Sequence, residues 1–458
     1  MDLSPIVERN GPLNGHDPYP VGSWADLACD WTGRLVRVYS GAPVHDRTPA
    51  DYFHGEGFKD FNLALKVENE YRFWKVIYHL KRTDPDLIYR MFNDPPTEDG
   101  LTLPPRIRKL LLSIRDINDL PDMKFREFIS PVFDRRNVDF QRRYLMGLLE
   151  YEKRLERIDR SSVKRVDNRV KAMINFNGLY LMSGVDSFVE PTARAIYALS
   201  YLHPIADSFM DVEGGSDLVR YEDRLTDPKV NPETGRERVL DRILTDIEGV
   251  YPRQDHPALY DLMTNLHQAQ VRSRMQKQGM DPEEMLFISF LKGGWSMALY
   301  GYIATGELTG PQFRWLMQIG SLQQLLDDVI DVQEDLISGT STAFTRALAE
   351  EGTLDLALYR MSHLERYLRR ELGDYPSGRR AVRVNVTHAF FDQKRLKLIA
   401  LYLHTSRFSG GFQREFRKRR PCSLTAFRTI WGLLEGFTLY MTRRTKGGGR
   451  VTIPPRAA

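Results

Sequence analysis

The run Gln324-Leu-Leu-Asp327-Asp328-Val-Ile-Asp331-Val-Gln-Glu334-Asp335-Leu-Ile-Ser-Gly339 places five carboxylates in nine residues of an otherwise apolar, helix-length stretch. A helix advances ~100° and ~1.5 Å per residue, so Asp327, Asp331 and Asp335, spaced i, i+4 and i+8, are expected to stack along one face. Asp328 and Glu334 are expected to point partly away. Like charges at that spacing repel, which makes a counterion their natural complement. Hard oxygen donors suit Mg²⁺.

A second acidic helix end lies upstream, in His203-Pro-Ile-Ala-Asp207-Ser-Phe-Met-Asp211-Val-Glu213, where Asp207 and Asp211 are again four apart. They follow the apolar stretch from Ala193 to Leu202. The 120 residues between Asp207 and Asp327 leave room for several helices that could bring the two clusters face to face across a bundle. Paired acidic helices of this kind can hold Mg²⁺, and through it a diphosphate leaving group. A solvated charge run is the plain alternative for the later cluster, but Leu322, Leu325 and Leu326 precede it and a partner motif exists. The D-x-D-x-D-G order of a calcium loop is absent. So is the E-x-x-H of a di-iron bundle.

The elements that must position these residues read as helices. Apolar spacing predicts one from Phe61 to Met91, ended by Asp94-Pro95-Pro96, and another from Phe128 to Ile158 with a charged outer face. Further helices are expected near 164–188, 193–213, 237–250, 257–278, 282–304, 311–338, 354–371 and 379–404. Strand alternation is scarce, so the expected fold is all-α. Residues 1–125 are expected to form an N-terminal extension, irregular through about residue 60 and then helical. Residues 126–405 are expected to form a catalytic helical bundle, and 406–458 a basic C-terminal segment. Gly178, Gly184, Gly293 and Gly294 lie inside the expected helices, where each costs about 1 kcal/mol relative to Ala, and so mark close helix approach or a kink. Pro204, three residues before Asp207, should kink its helix or start its final segment.

These motifs carry a family resemblance. Gln324-Leu-Leu-Asp327-Asp328-Val-Ile-Asp331 is similar to the second aspartate-rich motif of polyprenyl diphosphate synthases, and Asp331-Val-Gln-Glu334-Asp335-Leu-Ile-Ser-Gly339 resembles the D-V-x-E-D-x-x-x-G stretch of phytoene and squalene synthases. Lys292-Gly293-Gly294 stands near where polyprenyl synthases carry a Lys that contacts the substrate diphosphate. From about Ala172 to Gly339 the chain resembles the class I isoprenoid synthase superfamily, and within it the large-terpene synthases typified by tetraprenyl-β-curcumene synthase.

The resemblance implies a helical bundle of that type and a terpene synthase that uses Mg²⁺ to ionise a linear polyprenyl diphosphate and then cyclises or deprotonates the cation. It makes Asp207, Asp211, Asp327, Asp331 and Asp335 the metal ligands. Diphosphate contacts fall to Lys292, to Arg272 and Arg274 upstream of the second motif, and to Arg220 and Arg224 after the first. Phe176, Tyr180, Phe290, Trp295, Tyr300 and Phe391 fit, as a set, a cavity that stabilises carbocations.

The departures from the family pattern bear on the reaction. Elongating synthases follow a doubled first motif closely with two arginines, whereas here Val212-Glu213-Gly214-Gly215 follows Asp211. Phytoene and squalene synthases place a basic residue after the Gly where this chain has Thr340. A prenyl transferase, of either the elongating or the head-to-head type, is the second reading. A catalytically silent helical scaffold is the third.

Composition narrows the setting. At 458 residues and 42% hydrophobic the chain can bury a sizeable core. A net charge of +4 gives no reason to expect nucleic acid. Cys29 and Cys422, far apart, suggest neither a disulfide framework nor a zinc site and favour a reducing compartment. Met1 to Glu8 lacks the basic and apolar regions of a signal peptide, and no apolar run reaches ~18 residues. A cytoplasmic location is expected. From Arg407 to Arg450 there are 11 Lys or Arg against Glu415 and Glu435, a surplus that a lipid-facing enzyme could use on anionic membranes.

Overall fold

The computed structural model describes residues 24–43, 48–54, 60–83, 147–148, 150–163, 182, 192–210, 216–276, 279–380, 382–383, 386–387, 401 and 404–426. The fold is all-α, and among the described residues there is no strand beyond an isolated bridge at Thr340. Its main elements are α1 (Trp24–Ser40), α2 (Pro49–His54), α3 (Leu63–Thr83), α4 (Thr192–Met210), α5 (Ser216–Thr226), α6 (Gly235–Glu248) and α7 (Pro257–Ser273). They continue with α8 (Pro282–Thr305), α9 (Gly310–Ile330), α10 (Val332–Ser338), α11 (Ala343–Glu351), α12 (Asp355–Leu372) and α13 (Gly410–Arg419).

Helix α8 is the axis of the molecule because it is apolar all round and buried along most of its length. Asp281 caps its start, accepting from the backbone N–H groups of Glu283 and Glu284, with Pro282 in the first turn. Gly306, at φ 83, ends it in the left-handed conformation that glycine adopts without a Cβ penalty. Helices α1, α4, α7, α9 and α11 all pack on it. The start of α9 is fixed by a capping box in which Thr309 and Gln312 bond each other's backbone.

The α8–α9 crossing is set by glycine. A Cβ on Gly293 would lie 2.2 Å from the Gly320 carbonyl oxygen and 2.8 Å from Gln324 Cβ, so the two backbones touch there. The close approach expected at Gly293 and Gly294 is therefore present, and its counterpart is Gly320. The Ser321 hydroxyl reinforces it by donating to the Phe290 carbonyl at 3.3 Å.

Three local expectations are corrected. The first 60 residues are not irregular throughout: Trp24, Ala28, Leu35, Val36 and Tyr39 recur at helical spacing and bury one face of α1 against α8, α9 and α12. Trp24 stacks on Phe313 with ring centroids 4.4 Å apart. The helix expected over 311–338 divides at Asp331 (φ −88, ψ 5) into α9 and α10. Helices α5 and α11, unanticipated, form after the Gly214-Gly215 and Thr342 signals. The remaining helices over 192–372 fall within a few residues of expectation, and those near 164–188 and 379–404 lie largely outside the described residues. No helix among the described residues is long and apolar enough to cross a membrane.

Candidate functional site

The glycine crossing puts Lys292 of α8 beside the last turn of α9. There the carboxylates are arranged differently from the simple i, i+4, i+8 face. Asp328, expected to point away, is the buried one, whereas Asp327 is exposed and Asp331 and Asp335 are half-buried. The side chain of Gln324, one turn earlier, donates Nε2–H to Asp328 Oδ1 at 2.9 Å. Asp328 Oδ2 is buried without a hydrogen-bond partner among the described residues. Gly320, Gln324 and Asp328 are spaced i, i+4 and i+8, so Asp328 lies on the face of α9 that Gly320 presses against α8, and Asp327, ~100° away, does not.

The electrostatics follow from this packing. Burial pushes the Asp328 carboxyl up to about 8; the Gln324 hydrogen bond and the Lys292 charge oppose the rise, and Asp335 and Asp327 add to it. Burial also raises Asp335, to about 6, with Asp327 and Glu334 adding to it and Lys292 opposing it. Lys292 thus acts on both carboxyls, and it is the basic side chain acting on them both among the described residues. The charge of Asp328 in turn adds to the burial that raises Tyr39, a fully buried phenol on α1 whose hydroxyl donates to the Ala357 carbonyl at 3.4 Å.

The break is held from outside. His404 Nε2 lies 3.3 Å from the Ile330 carbonyl, and Arg407 bonds the Gln333 side chain. Gly339, at φ 69, ends α10 by returning its N–H to Asp335, and Ser341 N–H donates to the Gln276 carbonyl at 3.0 Å. Nothing in the sequence marked Tyr39, His404 or Arg407 for these places, since each contact spans more than seventy residues.

Asp207 lies on α4, which packs on α6 and α8. Its side chain, and the whole of Asp211, lie outside the described residues. Helices α4 and α9 are therefore both neighbours of the helix that carries Lys292. Among the described residues no group of three His, Cys, Asp or Glu side chains converges closely enough to hold a metal ion.

Arg220 and Arg224, both expected at the diphosphate, are engaged in ion pairs with acids of this chain. The Arg224 guanidinium is buried and engaged by Asp241 at 2.6 Å and by Glu248 at 2.8 and 3.0 Å, while Arg253 closes on Glu248 at 2.9 Å. Arg220 pairs with Glu233 and, at 3.4 Å, with Glu237. Both arginines tie α5 to α6 and its approach, which leaves Arg224 no donor edge for a diphosphate. Arg272 and Arg274 are exposed at the end of α7, with the Arg272 charge acting on Cys29 of α1. Of the aromatics, Phe290, Trp295 and Tyr300 are buried in the core, with Phe290 edge-on to Tyr39 and Trp295 beside Phe313. Phe176, Tyr180 and Phe391 lie outside the described residues.

No known family model matches the chain, and no curated protein matches it. A solved geranylgeranyl pyrophosphate synthase from Lactobacillus brevis is similar over 66% of this chain and 97% of its own, at 16% identity and a TM-score of 0.30. A likeness at that score carries no argument about function.

Proposed function

We propose that the chain is a class I isoprenoid synthase that ionises a linear polyprenyl diphosphate and cyclises or deprotonates the resulting cation. The observation that carries this reading is the placement of Lys292, across a glycine-only helix crossing, against the acidic run Asp327 to Asp335. The chemistry of the donors suits Mg²⁺: they are all carboxylate oxygens, and Asp328 beside them keeps a buried carboxyl oxygen without a partner among the described residues. Asp327, Asp331 and Asp335 would hold the ion from one side, and Asp207 of α4, with Asp211 four residues on in sequence, from the other. Bound there, Mg²⁺ supplies Lewis-acid neutralisation of the departing diphosphate.

Each residue of this chain then has a defined task. Lys292 binds the diphosphate as a point charge. Gln324 fixes the orientation of Asp328, and Asp328 helps to keep the α9 end closed against water. Exclusion of water matters because a captured cation yields an alcohol in place of the terpene. Arg272 and Arg274 remain candidates for the diphosphate. A cytoplasmic location is part of the same reading.

The experiment is incubation of the purified chain with Mg²⁺ and allylic diphosphates of increasing prenyl length, followed by extraction and mass analysis. Release of pyrophosphate with a hydrocarbon or alcohol product supports the reading. Inertness toward every chain length, with the protein folded, overturns it in favour of a silent scaffold.

A further inference from the structure

Helix α3 turns its large apolar side chains outward. Leu63, Val67, Tyr71, Trp74 and Tyr78 fall within about 80° of arc at ~100° per residue. All five are exposed, from 41% for Trp74 to 77% for Leu63. The opposite side of the helix is anchored: Asn69, Phe73, Val76 and Ile77 are buried. Asn69 donates to the Pro421 carbonyl at 3.2 Å, Lys66 to the Arg417 carbonyl, and Ser423 N–H to Glu70 at 2.8 Å. The stripe is thus a fixed, outward-facing ridge.

Its surroundings are basic. Residues 60–83 and 410–420 together carry ten Lys or Arg against four Asp or Glu. The acids are engaged locally, Glu68 by Arg72, Glu70 by Ser423 and Trp74, and Glu415 by Lys418 and Arg419. Lys75 and Arg82 lie along one edge of the stripe, while Arg417 and Lys418 stand exposed on α13 beside the other. An amphipathic helix with Trp and Tyr at its apolar edge and cations flanking them has the composition of an interfacial element on an anionic bilayer.

We infer that α3, with the basic end of α13 beside it, is a docking surface for an anionic lipid membrane, holding the protein on the bilayer without crossing it. Charge complementarity selects this occupant: a second copy of the chain would bring the same excess of cations against itself, whereas anionic headgroups would neutralise it. The placement suits an enzyme whose substrate carries a long apolar tail. Vesicle binding needs no turnover, so its outcome is separate from that of the proposed reaction.

The test is co-sedimentation of the full chain with vesicles of phosphatidylcholine alone or with about 30 mol% phosphatidylserine. Binding is expected only to the anionic vesicles, weakening as salt rises. The variant Val67→Ser/Trp74→Ser changes exposed side chains, so it should keep the wild-type circular dichroism and lose about tenfold or more in vesicle affinity. Lys75→Glu/Arg82→Glu should lose binding and its salt dependence together. Any of three results overturns the inference: no binding to anionic vesicles, undiminished binding by the folded serine variant, or a wild-type dimer that the serine variant dissolves. Shielding of Trp74 fluorescence from a soluble quencher such as acrylamide in the free chain would show the ridge covered by another segment of the chain and overturn the inference equally.

Discussion

The Gln324 amide donates to Asp328 Oδ1 at 2.9 Å, and the second oxygen of that carboxyl is buried without a partner. A single hydrogen bond therefore fixes an acid that its surroundings keep protonated up to about pH 8. Ionising it would place a charge in a buried site at the end of α9, and a cation beside it would favour that ionisation.

Stability should register that burial. Asp328 is raised in the folded chain to about 8 from an ordinary value near 3.8, and Asp335 to about 6, so both groups stabilise the fold at low pH and lose that contribution as pH rises through the folded values. His267, buried and lowered below 6.5, works in the opposite sense at more acid pH. The clean window is therefore from about 6.5 to 8. Without Mg²⁺, the melting temperature should fall across it, with Asp328 contributing at most ~1.4 kcal/mol per pH unit. Asp328→Asn should flatten the fall, and added Mg²⁺ should raise the melting temperature most at the alkaline end. A melting temperature independent of pH there would remove Asp328 as a buried acid.

The glycine crossing should be intolerant of one methyl group. Gly293→Ala sets a Cβ against the backbone of α9, which cannot move aside without separating α8 from α9. Gly301→Ala meets the end of the Leu316 side chain, which can rotate. Urea unfolding should show a loss of roughly 2–3 kcal/mol for Gly293→Ala and clearly less for Gly301→Ala. Equal losses would mean that the crossing is not a backbone contact.

Much of this arrangement was legible in the sequence, and the reasons for the exceptions are physical. Helices such as α8 and α9 advertise themselves through long apolar periodicity and strong caps, so their existence and near-limits could be read directly. The glycines at 293 and 294 signalled a close approach, though not that Gly320 was the partner. Helix α1 escapes a reading of the sequence because its six buried positions are interspersed with Asp26, Asp30 and Gly33 and follow a stretch rich in Pro and Gly. The orientation of Asp328 could not be read, because the face that α9 turns to α8 is set by the contact of Gly320 with Gly293, a pairing of distant residues that no local propensity encodes. Arg220 and Arg224 were assigned to substrate from their nearness to Asp211 in sequence, but their partners on α6 and the turn before it lie 13 to 24 residues further on.

Arg224 should therefore matter for folding. Removing it in Arg224→Ala leaves Asp241 without its cation and Glu248 with Arg253 alone, a change expected to cost roughly 1.5–3 kcal/mol. Arg220→Ala removes a more exposed pair and should cost about 1 kcal/mol or less. Denaturant titration of the two variants measures the difference. If Arg224→Ala were fully stable and only its turnover fell, the arginine would return to the substrate site.

Loss of Lys292 or of an aspartate should act on chemistry. Lys292→Met and Asp331→Asn should retain the helical spectrum and thermal transition while turnover falls by at least about a hundredfold, since in the proposed reaction each would remove a charge that acts on the departing diphosphate. Asp207→Asn is expected to do the same from α4. Chelation should abolish turnover reversibly, with activity restored by added Mg²⁺. Undiminished turnover in excess EDTA, or in Asp331→Asn, would take the acidic run out of the mechanism.

The reaction itself separates two kinds of synthase. A cyclase needs one diphosphate site and a closed apolar chamber, whereas an elongating or head-to-head transferase needs a second anion site for its other substrate. Elongating enzymes place two arginines soon after the first acidic motif, and here the arginines nearest that motif are engaged by the acids Glu233, Glu237, Asp241 and Glu248. With Arg224 saturated, the second site lacks its most obvious donor. A single allylic diphosphate with Mg²⁺ should therefore release pyrophosphate and give a hydrocarbon or alcohol without isopentenyl diphosphate. The measurement is product mass with and without that second substrate, at several prenyl lengths. Product formed only when isopentenyl diphosphate is added, or only as a head-to-head dimer of the allylic substrate, would make the protein a prenyl transferase. It would also require a second diphosphate site built from residues other than Arg220 and Arg224.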